Sequence, residues 1–233
     1  MILNLSGEVI PNDWAELYRD FGFNSGFYCP QDVRDAVAAL EPGEELTLEI
    51  NSIGGVVYAG SEIYSILRAC QNPTRAVIQS MAASAASYMI LGCDRIEIEA
   101  PAQMMIHNSS VSVASGNKTD MQRTAQMLDA CDQSILNVYC ARCGDHASRE
   151  QLEQLMQEET FLSAQDALRL GFVDAIIGAE VPAQTGALVD SAIANNFVRA
   201  MRTLPDIGEL TARRDQEARD RLSAELEIEK NRY

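Results

Sequence analysis

Strands alternating with helices, in a chain of 233 residues, predict an α/β protein with crossover connections. β-type runs such as LTLEI (46–50), AVIQS (76–80) and RIEIE (95–99) are separated by segments with helical spacing. Where strand gives way to helix the residues are small, as in INSIGG (50–55) and SMAASAAS (80–87). Hydrophobic residues make up 47% of the chain, enough for one substantial domain plus an appendage.

In chain order, ILNL (2–5) reads as a short strand and SGE as a turn. Residues 11–30 are rich in aromatics and are expected to be irregular. Val33, Ala36, Val37 and Leu40 give a helix from Asp32 to Leu40, stopped by Pro42-Gly43. LTLEI is a strand, and Ile63, Ile66, Leu67 and Cys70 stripe a helix over 60–70. The strand AVIQS leads into a buried helix over 84–91 that ends at Gly92. RIEIE alternates as a strand before Pro101, and MMI (104–106) is another. A long helix is expected over 119–142 and a second over 148–158. Ser163 caps a third, with Asp166 at the box position and Gly171 closing it. FVDAIIG (172–178) is the last strand of a body spanning 1–178.

Residues 179–201 read as a linker and short helix. The tail, 202–233, holds 7 basic and 8 acidic residues, so the body carries nearly all of the charge. Ala218, Leu222 and Leu226 form a thin apolar stripe with no sustained heptad. A solvated helix is expected, with a partner or coiled-coil helix as the alternative.

The net charge of −16 argues against nucleic acid or anionic membrane as the main partner. No run approaches the length of a membrane-spanning helix. MILNLSGEV lacks a basic n-region and a long apolar h-region, so a cytoplasmic location is expected. The six cysteines are scattered and read as reduced thiols. Cys140 and Cys143 form a CxxC without a second pair and read as small apolar residues on a helix face. No metal or cofactor is expected.

The chain has two histidines. His107 ends an apolar strand in MMIHNSS, where α/β enzymes place side chains for chemistry. His146, in CGDHASRE, reads as a surface loop residue. Of Ser80, Ser84 and Ser87, one at the strand-to-helix junction could serve as a nucleophile, because backbone N–H groups are free there and small neighbours admit a carbonyl. The pair Gly54-Gly55 can turn an amide inward, as an oxyanion hole requires, and an ordinary βα turn explains it equally well.

Together these segments resemble the Clp protease proteolytic subunit (ClpP) family. INSIGGVVYAGSEIYSIL is similar to its INSPGG-x-V-x-AG-x-x-IYD segment, and SMAASAAS to its GQAASMGA nucleophile segment. MMIHNS is similar to its MIHQP segment, and EETFLSAQDALRLGFVDAII to its DRDxFLSAxEAxxxGLVDxI segment. The resemblance covers about residues 2–178. It implies the ClpP/crotonase-like fold of repeated ββα units with a protruding long helix. It also implies a serine endopeptidase with Ser84 as nucleophile and His107 as base and later acid. The oxyanion donors would be the N–H groups of Gly55 and Ala85. The family's aspartate aligns with Glu159, leaving Glu158 and Asp166 as fallbacks. Ser80 and Ser87 fall where the family has glycine and alanine, and are read as structural. Heptameric rings, stacked through the long helix and the segment after His107, are implied as well.

Several features depart from the family. Ile53 stands where the loop has proline, and the turn after the nucleophile helix, GCDR, is short. The chain begins almost at the first core strand, leaving little room for the axial loops that meet an AAA+ unfoldase. It carries instead the insert DWAELYRDFGFNSGFYC (13–29) and the charged tail. That pattern is most similar to phage and prophage ClpP-like head-maturation proteases, which process capsid and scaffold proteins without an unfoldase. A cellular subunit working with an AAA+ unfoldase is the alternative. A crotonase-like acyl-CoA enzyme or an inactive ring subunit is disfavoured by Ser84 and His107 together.

Overall fold

The computed structural model describes residues 1–112, 114–178 and 204–230, with side chains in the last segment described to 220. Among these, eight strands form one sheet. Strands β1 (Ile2–Val9), β2 (Phe27–Tyr28), β3 (Leu46–Gly55), β4 (Thr74–Ala83), β5 (Arg95–Glu99) and β8 (Ala175–Ile177) run parallel in the order β2-β1-β3-β4-β5-β8. Strand β4 divides its partners. Arg75–Ile78 pair with β5, and Met81–Ala83 with β6 (Gln103–Ile106). Strand β7 (Thr160–Ser163) then adds to β6 antiparallel.

The helices are α1 (Asn12–Asp20), α2 (Pro30–Ala38), α3 (Val57–Ala69), α4 (Ala85–Met89), α5 (Lys118–Cys143), α6 (Arg149–Gln157), α7 (Ala164–Arg169) and α8 (Ile207–Lys230). Their alternation with parallel strands is the α/β architecture expected. The main core joins Leu48, Ile50, Ile78, Ile96 and Ile98 of the sheet to Ile63, Met89 and Tyr139 of the helices. Helix α5 starts at Asn117, whose side chain accepts from Thr119 N at 2.8 Å while Asp120 reciprocates at 3.0 Å. Its buried residues, Ile135, Leu136, Tyr139 and Cys143, all lie in its second half, so its first half projects from the body. Ser148 caps α6 and Ser163 caps α7, each accepting from a backbone N–H three residues on at 3.2 Å.

Several expectations change, and SGE (6–8) continues β1 rather than forming a turn. The aromatic segment is not irregular: it forms α1 and β2. Trp14, Leu17, Tyr18 and Phe21 follow at i, i+3, i+4 and i+7, a helical face. That face builds a second, smaller core with Ile10, Ala15, Phe27 and Cys29. The tail is helical, as expected, but its root is not merely solvated. Leu210 is 6% exposed in the second core, and Tyr18 donates to the Pro205 carbonyl at 2.7 Å. The Arg213 guanidinium lies 5.1 Å from the Phe21 ring centroid. The last body strand is also shorter than FVDAIIG, because Phe172 is fully buried in the main core rather than paired in the sheet. The expected linker and short helix, 179–201, lie outside the described residues.

Candidate active site

The register of β4 and β6 sets the geometry. Ala83 pairs with Met105, so the residues that follow the two strands, Ser84 and His107, leave the sheet side by side. Ser84 Oγ lies 2.7 Å from His107 Nε2. The Ser84 N–H still donates to the Met105 carbonyl at 2.9 Å, tying the junction to β6. Its backbone then turns sharply, with φ 53° and ψ −125°, before α4 begins. Such a conformation costs a side-chain-bearing residue about 1–3 kcal/mol, and it lifts Oγ out of the sheet. Ser87, fully buried, anchors the turn by donating to the Ser84 carbonyl at 2.6 Å while contacting Tyr139 Oη at 2.6 Å.

The glycine pair lies against this junction. A Cβ on Gly54 would stand 2.5 Å from the Ala83 carbonyl oxygen, 2.6 Å from Ser84 Cβ and 2.8 Å from Ala85 N. Only glycine permits that approach. Gly55 has φ 152°, and a Cβ there would stand 2.2 Å from the Val9 carbonyl oxygen. Ala85 opens α4, where the first N–H groups have no intrahelical acceptor.

Glu159 follows α6, its N–H bonded to the Met156 carbonyl at 3.2 Å, and precedes β7. Ile106 pairs antiparallel with Thr160, so one step further along the ladder are His107 and Glu159. Glu159 has φ 51°; it and Ser84 are the two non-glycine residues with positive φ among the described residues. Burial pushes the His107 imidazole below its ordinary range, against the negative charges of Glu159 and Asp132.

Other candidates lie elsewhere. Ser80 is exposed on β4, and His146 is exposed in the turn after α5. Glu158 is exposed and accepts from Gln154 Nε2 at 2.8 Å. Burial pushes the Asp166 carboxyl up, but hydrogen bonds from Arg169 and Ser163 outweigh this and hold it below the usual range. It caps α7. Cys140 and Cys143 are free thiols, and burial pushes Cys143 up to about 12. Among the described residues no group of three or more His, Cys, Asp or Glu side chains could hold a metal. No helix among them is long and apolar enough to cross a membrane.

Asp132 escaped the sequence reading. It accepts from Ser109 N and from Ser109 Oγ, both at 2.6 Å, and so pins the segment after His107 to α5. Its partner is distant in sequence and no local motif marks it.

A family profile described as Clp protease matches residues 34–180. Proteins named ATP-dependent Clp protease proteolytic subunit 1, from Chlamydia muridarum (strain MoPn / Nigg) and Chlamydia trachomatis serovar D, are each 30% identical over 139 residues. Those alignments span 58% of this chain and 71% of each relative.

Proposed function

The chain belongs to the Clp protease family, and from that premise we propose that it is a serine endopeptidase with Ser84 as its nucleophile. The observation that carries this reading is the 2.7 Å contact between Ser84 Oγ and His107 Nε2 on adjacent strand ends. His107, held neutral by burial, takes the Ser84 proton as Oγ attacks the scissile carbonyl. The N–H groups of Gly55 and Ala85 receive the developing oxyanion. Glu159 accepts the other imidazole N–H and stabilises the imidazolium. His107 then protonates the leaving amine, and a water activated by the same imidazole releases the acyl group.

The enzyme assembles in this reading as a homo-oligomeric ring, heptameric by family resemblance, and acts on protein or peptide substrates in the cytoplasm. Capsid and scaffold proteins of a phage or prophage are its substrates, because the chain adds an α1–α8 module to the family body. A second reading is favoured by the relatives' names, which describe subunits of an ATP-dependent protease. In it, an AAA+ unfoldase feeds the ring. Fluorophosphonate labelling tests the chemistry: wild type should label at Ser84, and Ser84→Ala should not. Hydrolysis of labelled casein without any ATPase then separates the two biological readings, since the unfoldase-dependent form should degrade only short peptides alone.

A further inference from the structure

We infer that Tyr28 is a positioning residue for the glycine loop, acting through the Ser52 hydroxyl; this rests on the serine-peptidase reading and adds a residue to it.

Strands β1 and β3 pair in step from Ile2 with Thr47 to Gly7 with Ser52, and then Glu8 pairs with Gly54. Ile53 is therefore a bulge residue, and a bulge re-aims the strand that carries it. Ile53 does not lock φ as a proline would. The hold on this bulge comes instead from Ser52, which is 1% exposed. Its Oγ lies 2.6 Å from the Gly7 carbonyl oxygen, 2.7 Å from Tyr28 Oη and 3.1 Å from Gly54 N.

The proton directions follow without choice. A carbonyl can only accept, so the Ser52 proton goes to Gly7. The two lone pairs of Oγ then accept from the Gly54 N–H and the Tyr28 O–H. All valences of this buried hydroxyl are filled, and deleting the Tyr28 hydroxyl leaves one lone pair unmet. Tyr28 Oη also lies 3.5 Å from Met89 Sδ on α4, so one phenol touches both the glycine loop and the nucleophile helix. Burial raises the Tyr28 phenol above its ordinary range, so it remains a donor wherever imidazole chemistry runs.

The insert delivers Tyr28. The Gly26 carbonyl accepts from Glu8 N at 2.9 Å and the Tyr28 carbonyl from Ile10 N at 3.0 Å, which seats β2 on β1. A Cβ on Gly7 would stand 2.1 Å from the Gly26 carbonyl oxygen, so the insert can lie this close only beside a glycine. Gly54 lies so close to Ser84 that no Cβ fits between them, so a tilt of its peptide is passed to the junction.

The test compares wild type, Tyr28→Phe, Ser52→Ala and the double variant in the full chain. The readout is the saturating rate constant for fluorophosphonate labelling of Ser84, since the phosphoryl oxygen occupies the oxyanion position. Tyr28→Phe should lower that constant about 5–10-fold with half-saturation within about twofold, at every pH and without moving the ascending limb. Ser52→Ala should cost at least as much, and adding Tyr28→Phe to it should cost nothing more. Misfolded protein would lower the labelled fraction rather than the rate constant. A wild-type rate in Tyr28→Phe, or effects that multiply in the double variant, overturns the inference and leaves the peptidase reading intact. Absence of labelling in wild type overturns both.

Discussion

Ser84 and Glu159 share a backbone property: each has a positive φ, 53° and 51°, without being glycine. They flank His107 from opposite sides, one at the end of β4 and the other just before β7, with β6 between. Strain that persists in a folded protein is held by its surroundings. Here it coincides with the two residues that the proposed mechanism sets against one imidazole.

Replacing Ser84 by Ala should lower peptidase turnover about 10⁴-fold or more, while Ser80→Ala keeps nearly all of it. Ser87→Ala should keep the chemistry but lower stability by about 1–2 kcal/mol, since its hydroxyl is buried between the Ser84 carbonyl and Tyr139. Steady-state kinetics with a fluorogenic peptide, beside thermal unfolding, separates the three. An equally inactive Ser80→Ala would move the nucleophile.

The pH profile of kcat/KM should rise on a limb below about 6.5, the ordinary imidazole value, because burial pushes His107 down. Removing either opposing charge, by Glu159→Gln or Asp132→Asn, destabilises the imidazolium and should move the limb to lower pH. The larger displacement is expected for Glu159→Gln, the stronger of the two charges at His107. A limb that moves up in either variant would contradict this account.

Much of the site was legible because short-range chemistry wrote it into local strings. SMAASAAS and MMIHNSS announce a junction serine and a strand-end histidine without knowledge of their pairing. The Ile53 bulge was not legible, because a register shift belongs to two strands at once. Asp132 was hidden for the same reason, being one polar residue on a polar helix until Ser109 is folded against it. Helix α1 was misread although its apolar spacing was present. Gly22, Asn24 and Gly26 broke up the segment, and the surface that rewards its apolar face arrives with Leu204, Ile207 and Leu210, far along the chain.

Glu159→Gln should keep the fold and cut kcat about 10²–10⁴-fold, as amide replacement of a triad acid does. Glu158→Gln should be silent, since that side chain faces solvent and Gln154. Glu159→Asp retains the charge with one methylene less, and activity kept or raised would place the carboxylate on His107. Wild-type activity in Glu159→Gln leaves a dyad, or makes Asp132 the acid to test next.

Gly54→Ala introduces a Cβ within 2.5–2.8 Å of Ala83, Ser84 and Ala85 atoms, two of them backbone. The end of β4 or Ser84 itself must shift. Activity should fall about 10²-fold or more, with the loss in kcat. Gly43→Ala is the control, because its φ of +82° is close to the +87° of Gly54 but nothing lies within 4 Å of a built Cβ. It should cost stability alone. Equal activity in the two variants would show that the glycine loop does not press on Ser84.

A chain ending after Val198 removes α8 and uncovers the face of α1 that its root covers. Among the described residues the buried set of the main core ends at Val173, so the sheet and the Ser84–His107 pair should survive. The second core fares differently. It loses Leu204, Ile207 and Leu210, and Tyr18 loses its acceptor at Pro205. Burying one leucine is worth about 1.5–3 kcal/mol, so α1 should become the first element to open. Opening α1 strains β2, and with it the Tyr28–Ser52 link to the glycine loop. The truncated chain should therefore still label at Ser84, at a reduced rate, with hydrogen exchange increased across 12–28 before any other part of the body. Leu210→Ala in the full chain should reproduce the exchange pattern in milder form. If truncation leaves exchange across 12–28 unchanged, α8 does not support the insert; if it dissolves the whole body at once, the two cores fold as a single unit.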